Sequence, residues 1–329
     1  MILAGDIGGT NTRLAIFTGE GGALRLMAEA VYPSTAYASL EDIVAAFLNA
    51  KNLPVTHAGF GIAGPVRDGR SQAVNLPWTA DVANLAERLG ISTVVLVNDV
   101  EALAHGLTTL VAADFAVLQA GDSQAAGNAA IIAPGTGLGQ GGLYWDGHRH
   151  QPFATEGGHC SFAPSDELED ELLRYLRPQF HHVSWERVLS GPGLFQIYKF
   201  LRDKKGGLEP HWLAEEMKHG DPPALIAEAA LAGKSELGGR ALDLFVRLLG
   251  AEAGNLALKI MSRGGVYLGG GIPPKILPRL QGTEFLAAFL SKGRMQQVLE
   301  SMPVRVVLNG KTALRGAARC AMLRDQIGS

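Results

Sequence analysis

Two cysteines, Cys160 and Cys320, are all that the 329 residues contain. That is too few for a disulfide framework or a four-cysteine zinc site, and it fits a reducing cytoplasm. Neither sign of charge dominates: 29 Lys and Arg against 32 Asp and Glu leave a net charge of −3. Such a chain has no global field for nucleic acid or anionic lipid, so neither is expected as a partner. Long apolar runs are missing. Residues 43–48 and 285–290 reach only six, where a membrane span needs about 20. The opening residues, MILAGDIGG, carry neither the basic segment nor the apolar stretch of a signal peptide. These shortages point away from secretion, membrane insertion and disorder, and toward a cytoplasmic protein.

What the chain has in excess is glycine, 42 residues, about 13% against a usual 7% or so. The glycines follow no G-X-Y period. They cluster beside apolar runs, at 5–9, 59–64, 135–142, 157–158 and 269–271. Glycine lets backbone amides approach a ligand closely or adopt positive φ. Several such turns at strand ends suggest an α/β protein that handles phosphate. At this length two domains, or one large α/β unit, are expected.

Hydrophobic patterning gives strands over 1–7, 12–18 and 24–32, then a capping box at Ser39–Asp42 that opens a helix carrying Ile43, Val44 and Phe47. A strand over 55–63, a helix over 81–89 stopped by Gly90, and a buried strand over 93–97 ending at Asn98-Asp99 follow. Three consecutive strands followed by β-α units predict a mixed sheet. A second cluster, 115–118 and 129–133, leads into a Gly/Thr turn at 134–139 and a further strand over 141–145. It repeats the opening arrangement of strand, turn, strand. From Asp166 the chain becomes mostly helical, with Leu242, Phe245, Leu249, Ala253, Leu256 and Ile260 on one face of a long helix. Strands over 266–268 and 304–308 and a last helix over 311–323 complete the pattern.

Several motifs fail on inspection. Gly59-x-Gly61-x-x-Gly64 and Gly137-x-Gly139-x-x-Gly142 match the dinucleotide fingerprint, yet neither opens a helix. Gly233-Lys234-Ser235 resembles the end of a P-loop, but the earlier glycine is replaced by Glu228. Glu156 and His159 have the spacing of a helical metal pair, but two glycines intervene and no second pair of ligands follows. His181-His182 are expected at the surface, and Phe195, Tyr198 and Phe200 in helix packing.

Three turns carry chemistry. In Asp6-Ile-Gly8-Gly9-Thr10-Asn11, an acid at a strand end precedes a Gly-Gly-Thr hairpin. Its N–H groups and hydroxyl can face a phosphate while Asp6 holds Mg²⁺ through water. Pro134-Gly135-Thr136-Gly137-Leu-Gly139 is a second such turn. In the third, Leu268-Gly-Gly270-Gly271-Ile272, glycine removes side chains that would block a flat purine; Pro273-Pro274 then predict a helix start. Asp99, at the carboxyl end of a buried strand, is a candidate base for phosphoryl transfer to an alcohol, or else a helix cap. Asn98, Glu156, His159 and Glu186 are groups that grip vicinal hydroxyls, and a site built of them should reject deoxy analogues.

These three turns resemble the two phosphate motifs and the adenosine motif of the actin-like ATPase fold. Further stretches narrow the likeness: Gly61-Ile-Ala-Gly64-Pro65-Val66, Asn75-Leu-Pro-Trp78, Val97-Asn98-Asp99-Val-Glu101-Ala102, Thr155-Glu156-Gly-Gly-His159 and Glu186-Arg-Val-Leu-Ser190-Gly191-Pro192-Gly193-Leu194. In that order, from Leu3 to the final helix, they resemble the bacterial glucokinases of proteobacterial type. The repressor/open-reading-frame/kinase branch carries a cysteine-rich zinc motif after its histidine; only Cys160 stands here, so the chain is not placed there.

The resemblance implies a two-domain α/β protein of the actin-like ATPase (ribonuclease H-like) fold, with duplicated mixed sheets. The small domain would be 1–110 rejoined by 311–329, and the large domain 111–310, with ATP and Mg²⁺ in an interdomain cleft above glucose. Leu314, Ala317, Ala318 and Ala321 would dock the last helix on the first sheet. The resemblance further implies Asp99 as base toward the sugar 6-hydroxyl, and Asn75, Asn98, Asp99, Glu156, His159 and Glu186 as sugar ligands. Asp6, Gly8, Gly9, Thr10, Asn11, Gly135, Thr136, Gly137, Gly270 and Gly271 would hold the nucleotide. A homodimer is the assembly it suggests. Phosphorylation of mannose, fructose or an N-acetylhexosamine, or a nucleotide-switched sugar-binding protein without catalysis, are the alternatives.

Overall fold

The structure, a computed structural model, describes all residues except 21–22, 73–75, 77, 92, 123 and 328–329. The chain divides into two compact units: Met1–Asp114 with Pro152–Ala154 and Asn309–Ser329, and Phe115–Gln151 with Thr155–Leu308.

In the first unit, β1 (Ile2–Ile7), β2 (Asn11–Glu20) and β3 (Ala23–Pro33) run antiparallel in succession. Helix α1 (Leu40–Lys51) follows, its cap set by Ser39, whose Oγ accepts from the Asp42 amide at 3.2 Å. Strand β4 (His57–Ile62) lies parallel to β1, and β7 (Thr93–Asn98) parallel to β4. Between them stand a ribbon of β5 (Arg70–Ser71) and β6 (Ala80–Asp81) and helix α2 (Val82–Leu89). Asp81 caps α2 and Gly90 closes it at φ 64°, the start and stop that the sequence predicts. Helix α3 (Asp99–Leu107) completes this run. The sheet order is β3-β2-β1-β4-β7.

The second sheet is formed by β8 (Phe115–Gln119), β9 (Ala129–Pro134), β10 (Leu138–Trp145), β11 (His150–Thr155, of which 152–154 group with the first unit), β12 (Gly265–Leu268) and β13 (Val304–Val307), in the order β11-β10-β9-β12-β13-β8. The first five places repeat the order of the other sheet: an antiparallel hairpin partner on one side of the central strand, two parallel strands on the other. Between β11 and β12 come α4 (Glu167–Leu176), α5 (Gly191–Lys204), α6 (His211–Met217), α7 (Pro222–Leu231) and α8 (Glu236–Ile260). Leu242, Phe245, Leu249, Ala253 and Leu256 of α8 are buried in a core shared with Ile132 of β9 and Leu268 of β12. Helices α9 (Leu277–Leu280), α10 (Thr283–Leu290) and α11 (Gln296–Glu300) lie between β12 and β13. The helix expected at Pro273 begins only at Leu277. Residues 273–276 form a turn, closed by the Lys275 and Ile276 amides on the Ile272 carbonyl at 3.0 and 3.2 Å.

Helix α12 (Thr312–Ile327) belongs to the first unit. Leu314, Ala317, Ala318 and Ala321 are buried against Ile2, Ala4 and Val95, the stripe read from the sequence. The approach is close enough that a Cβ on Gly59 would overlap the Ala317 carbonyl oxygen, and one on Gly316 the Ala102 carbonyl oxygen. Among the described residues no helix is long and apolar enough to cross a membrane.

Candidate active site

In the first unit the parallel strands β1, β4 and β7 deliver their carboxyl ends together. Ligands of α/β sheets bind at such ends. Asp6, Gly61 and Val97 are aligned across them. Beyond β1, the Gly8–Asn11 turn is closed by the Gly8 amide on the Asn11 carbonyl at 3.0 Å. Gly8 and Gly9 are half-buried, and Thr10 and Asn11 exposed. Buried Ser34, which the sequence reading missed, pins this turn from β3's far end. Its Oγ donates to the Gly8 carbonyl at 2.8 Å and pairs with Thr12 Oγ1 at 2.9 Å, while its amide donates to the Thr10 carbonyl at 2.9 Å. The half-buried Asp6 carboxyl is pushed up from its ordinary pKa by desolvation, against the pull of Arg13, its partner across β2. A desolvated carboxylate beside an exposed glycine turn fits a water-mediated Mg²⁺ ligand, because a cation relieves its buried charge.

Asn98 ends β7 and caps α3. Its Oδ1 accepts from the Val100 amide at 2.9 Å and its Nδ2 donates to the Gly64 carbonyl at 3.1 Å. The cap role considered for Asp99 thus belongs to Asn98. Asp99 is the first residue of α3, with Oδ1 accepting from the Val100 amide at 2.9 Å. Asn75 lies outside the described residues.

In the second unit, the Gly135–Gly137 turn and the Gly270–Gly271 turn stand at the carboxyl ends of the neighbouring parallel strands β9 and β12. The Gly135 amide donates to the Gly137 carbonyl and the Gly191 amide, at the start of α5, to the Gly135 carbonyl, both at 2.8 Å. Thr136 is exposed. Gly270 takes φ 80°, and its position beside the Pro134 carbonyl leaves no space for a Cβ. Open space surrounds the Cβ positions of Gly135 and Gly271, so both backbones are accessible to a flat or anionic ligand.

Glu156 and His159 bracket a single 3-10 turn, Gly157–His159, at the end of β11. Their side chains are 64% and 61% exposed, with Glu156 Oε2 3.8 Å from His159 Nε2, so both face solvent. The turn packs on the start of β10, where a Cβ on Gly158 would overlap the Leu138 carbonyl oxygen. Half-buried Glu186, in a second 3-10 turn, accepts from the Leu138 amide at 3.0 Å. The two turns are tied by the Trp185 amide on the Cys160 carbonyl at 2.9 Å and by an edge-on contact of Phe162 with Trp185. Three sugar-ligand candidates and the Gly135–Gly137 turn therefore share the first residue of β10. His181 and His182 are exposed, as expected.

Comparison with known proteins identifies the family and the fold. Residues 3–324 match the glucokinase family model. A glucokinase of Trichormus variabilis is 43% identical over 338 aligned residues, covering 98% of both chains. The crystal structure of a glucokinase from an Antarctic psychrotroph superposes with a TM-score of 0.83 at 32% identity, covering 98% of each chain. A ROK-family glucokinase from Streptomyces griseus, solved with glucose and AMPPNP, shares the fold at a TM-score of 0.68 and 24% identity, over 98% of this chain and 99% of that one. The paired mixed sheets are those of the actin-like ATPase fold. By its sequence over nearly its whole length, and by the fold that carries its glycine turns, the chain belongs to the glucokinase family.

Proposed function

We propose that this chain transfers the γ-phosphoryl group of ATP to the 6-hydroxyl of D-glucose, giving glucose 6-phosphate and ADP. The observation that carries this reading is the glucokinase match over residues 3–324, motifs included. Asp99 accepts the 6-hydroxyl proton as that oxygen forms its bond to the γ-phosphorus and the bridging bond to ADP breaks. The Val100 amide fixes the orientation of its carboxylate, and orientation supplies much of the rate. Asn98, Glu156, His159 and Glu186, with Asn75, bind the sugar hydroxyls. The N–H groups of Gly9, Thr10, Thr136 and Gly137, with the Thr10 and Thr136 hydroxyls, donate to phosphate oxygens; the Gly8 and Gly135 amides hold the two turns closed, and Gly270-Gly271 face the purine. Asp6 holds Mg²⁺, which when bound neutralises charge on the phosphates.

The two free thiols, exposed Cys160 and buried Cys320, support a cytoplasmic setting. The family resemblance supports a homodimer, which light scattering on the purified protein tests.

The deciding experiment is ADP release with ATP, Mg²⁺ and a panel of glucose, mannose, fructose, N-acetylglucosamine or no sugar, for the wild type and Asp99→Asn. Glucose-selective turnover that falls by about 10²–10⁴ in the variant, with glucose still bound, is the expected result. Selectivity for another hexose overturns the substrate. Unchanged turnover in Asp99→Asn overturns the base.

A further inference from the structure

Glu252 stands in the middle of α8 with no exposed surface. Its neighbours in the same core, Ala253 and Leu256, are apolar. A carboxylate is a poor choice for stability there, because an apolar side chain of similar size does as well or better. Both of its oxygens are committed to side-chain amides: Oε1 accepts from Gln140 Nε2 and Oε2 from Asn255 Nδ2, each at 2.9 Å. Burial pushes its pKa up, while the two amides and the more distant Lys259 and Lys292 pull it down.

Gln140 is the link. It is buried in β10, two residues beyond Leu138. Its carbonyl accepts from Thr155 Oγ1 at 3.0 Å, and Thr155 Oγ1 accepts in turn from the Gly157 amide at 3.2 Å. The side-chain oxygen of Gln140 occupies the space where a Cβ on Gly157 would be. That oxygen is aimed at Gly157 because the other end of the same amide is held by Glu252. Gly157 opens the turn that Glu156 and His159 bracket.

We propose that Glu252, acting through Gln140, is a positioning residue that sets the conformation of the Glu156–His159 turn and hence the affinity for the sugar. This rests on the reading that Glu156 and His159 bind glucose. The nucleotide turn at Gly135–Gly137 is held by its own amide, by Gly191 and by the Glu186 bond to Leu138, contacts in which neither Glu252 nor the Gln140 side chain takes part. Glucose affinity and ATP affinity should therefore respond differently.

The test uses the full chain and the variants Glu252→Leu, Glu252→Gln, Gln140→Leu, the Glu252→Leu/Gln140→Leu double, and Glu156→Ala. Readouts are KM for glucose and for ATP, kcat, and the glucose dissociation constant from tryptophan fluorescence. Glu252→Leu and Gln140→Leu are each expected to raise the glucose KM and dissociation constant about tenfold, since each leaves a buried amide or acid unpaired. The ATP KM should stay within about twofold. The double variant should be no worse than either single one, as for residues acting through one contact. Glu252→Gln, which can still accept from Gln140, should recover most of the affinity. A lowered melting temperature with glucose KM unchanged in both leucine variants makes Glu252 a structural strut and overturns the proposal. If Glu252→Leu fails to fold, Gln140→Leu decides alone. If Glu156→Ala leaves glucose affinity unchanged, the sugar site itself is misassigned. If Glu156→Ala weakens glucose and the others do not, only this inference falls.

Discussion

The Glu186 carboxylate accepts the Leu138 amide at 3.0 Å, so a residue expected to hold the sugar also holds the strand that leaves the Gly135–Gly137 turn. The same oxygen would lie 2.5 Å from a Cβ on Gly137. The groups proposed for sugar and for nucleotide in this unit thus meet at one backbone N–H. Glu186→Ala should raise KM for both glucose and ATP, lowering kcat/KM for glucose by about 10–100-fold. Glu186→Gln keeps an acceptor for Leu138 and should spare the ATP KM. Steady-state kinetics with each substrate varied in turn checks the difference.

Ser34→Ala should act on the nucleotide alone. Removing the Oγ leaves the Gly8 carbonyl without its 2.8 Å donor and frees the turn that would face phosphate. The ATP KM is expected to rise about tenfold, the cost of one buried hydrogen bond, with the glucose dissociation constant unchanged by fluorescence titration. Equal effects on both ligands would count against the assignment of this turn to phosphate.

His105, in the last turn of α3, is held down to about pKa 4 from 6.5 by desolvation and by the nearby Arg319 of α12. The folded chain thus binds fewer protons than the unfolded chain between those values. The stability contribution is complete above pH 6.5 and is lost as pH falls toward 4. His105→Gln, neutral throughout, should flatten the fall in urea midpoint between pH 6.5 and 4. A parallel shift of the whole curve, with its slope kept, would show that His105 is not the titrating group.

Gly316→Ala should disrupt the first unit, since the added methyl meets the Ala102 carbonyl oxygen. Overpacking of this kind costs about 1–3 kcal/mol, and here it bears on backbone, which yields least. Hydrogen exchange should show lost protection in α3 and α12, with β9 and α8 of the second unit unchanged. Gly310→Ala, whose Cβ meets open space, is the control.

Local chemistry was legible in the sequence. The Ser39 cap, the Gly90 stop, the apolar faces of α8 and α12 and the three glycine turns all rest on residues a few positions apart. Strand β10 starts at Leu138, earlier than the expected 141, because pairing of Leu138 with Pro134 of β9 overrides the weak strand preference of its glycines. What escaped were partners far apart in sequence: Ser34 on Gly8, Glu186 on Leu138, and Gln140 on Glu252, 112 positions apart. A buried Gln or Glu has no periodic signature beyond interrupting an apolar face. The helix predicted at Pro273 starts instead at Leu277, where Pro278 fills the first turn, because the Lys275 and Ile276 amides close the Pro-Pro segment into a turn on the Ile272 carbonyl.

The seating of α12 on β4 also has a temporal consequence. Ala317 and Ala318 complete the hydrophobic cluster around Ile2, Ala4 and Val95, yet the ribosome makes them some 300 residues after the first of those strands. A nascent chain through Leu308 carries every strand of both sheets, and α1 and α2 already pack on one side of the sheet made first, but the α12 side of it is still incomplete. The core of the early unit is completed only when the last helix is made, so during synthesis the unit begun first is the one finished last.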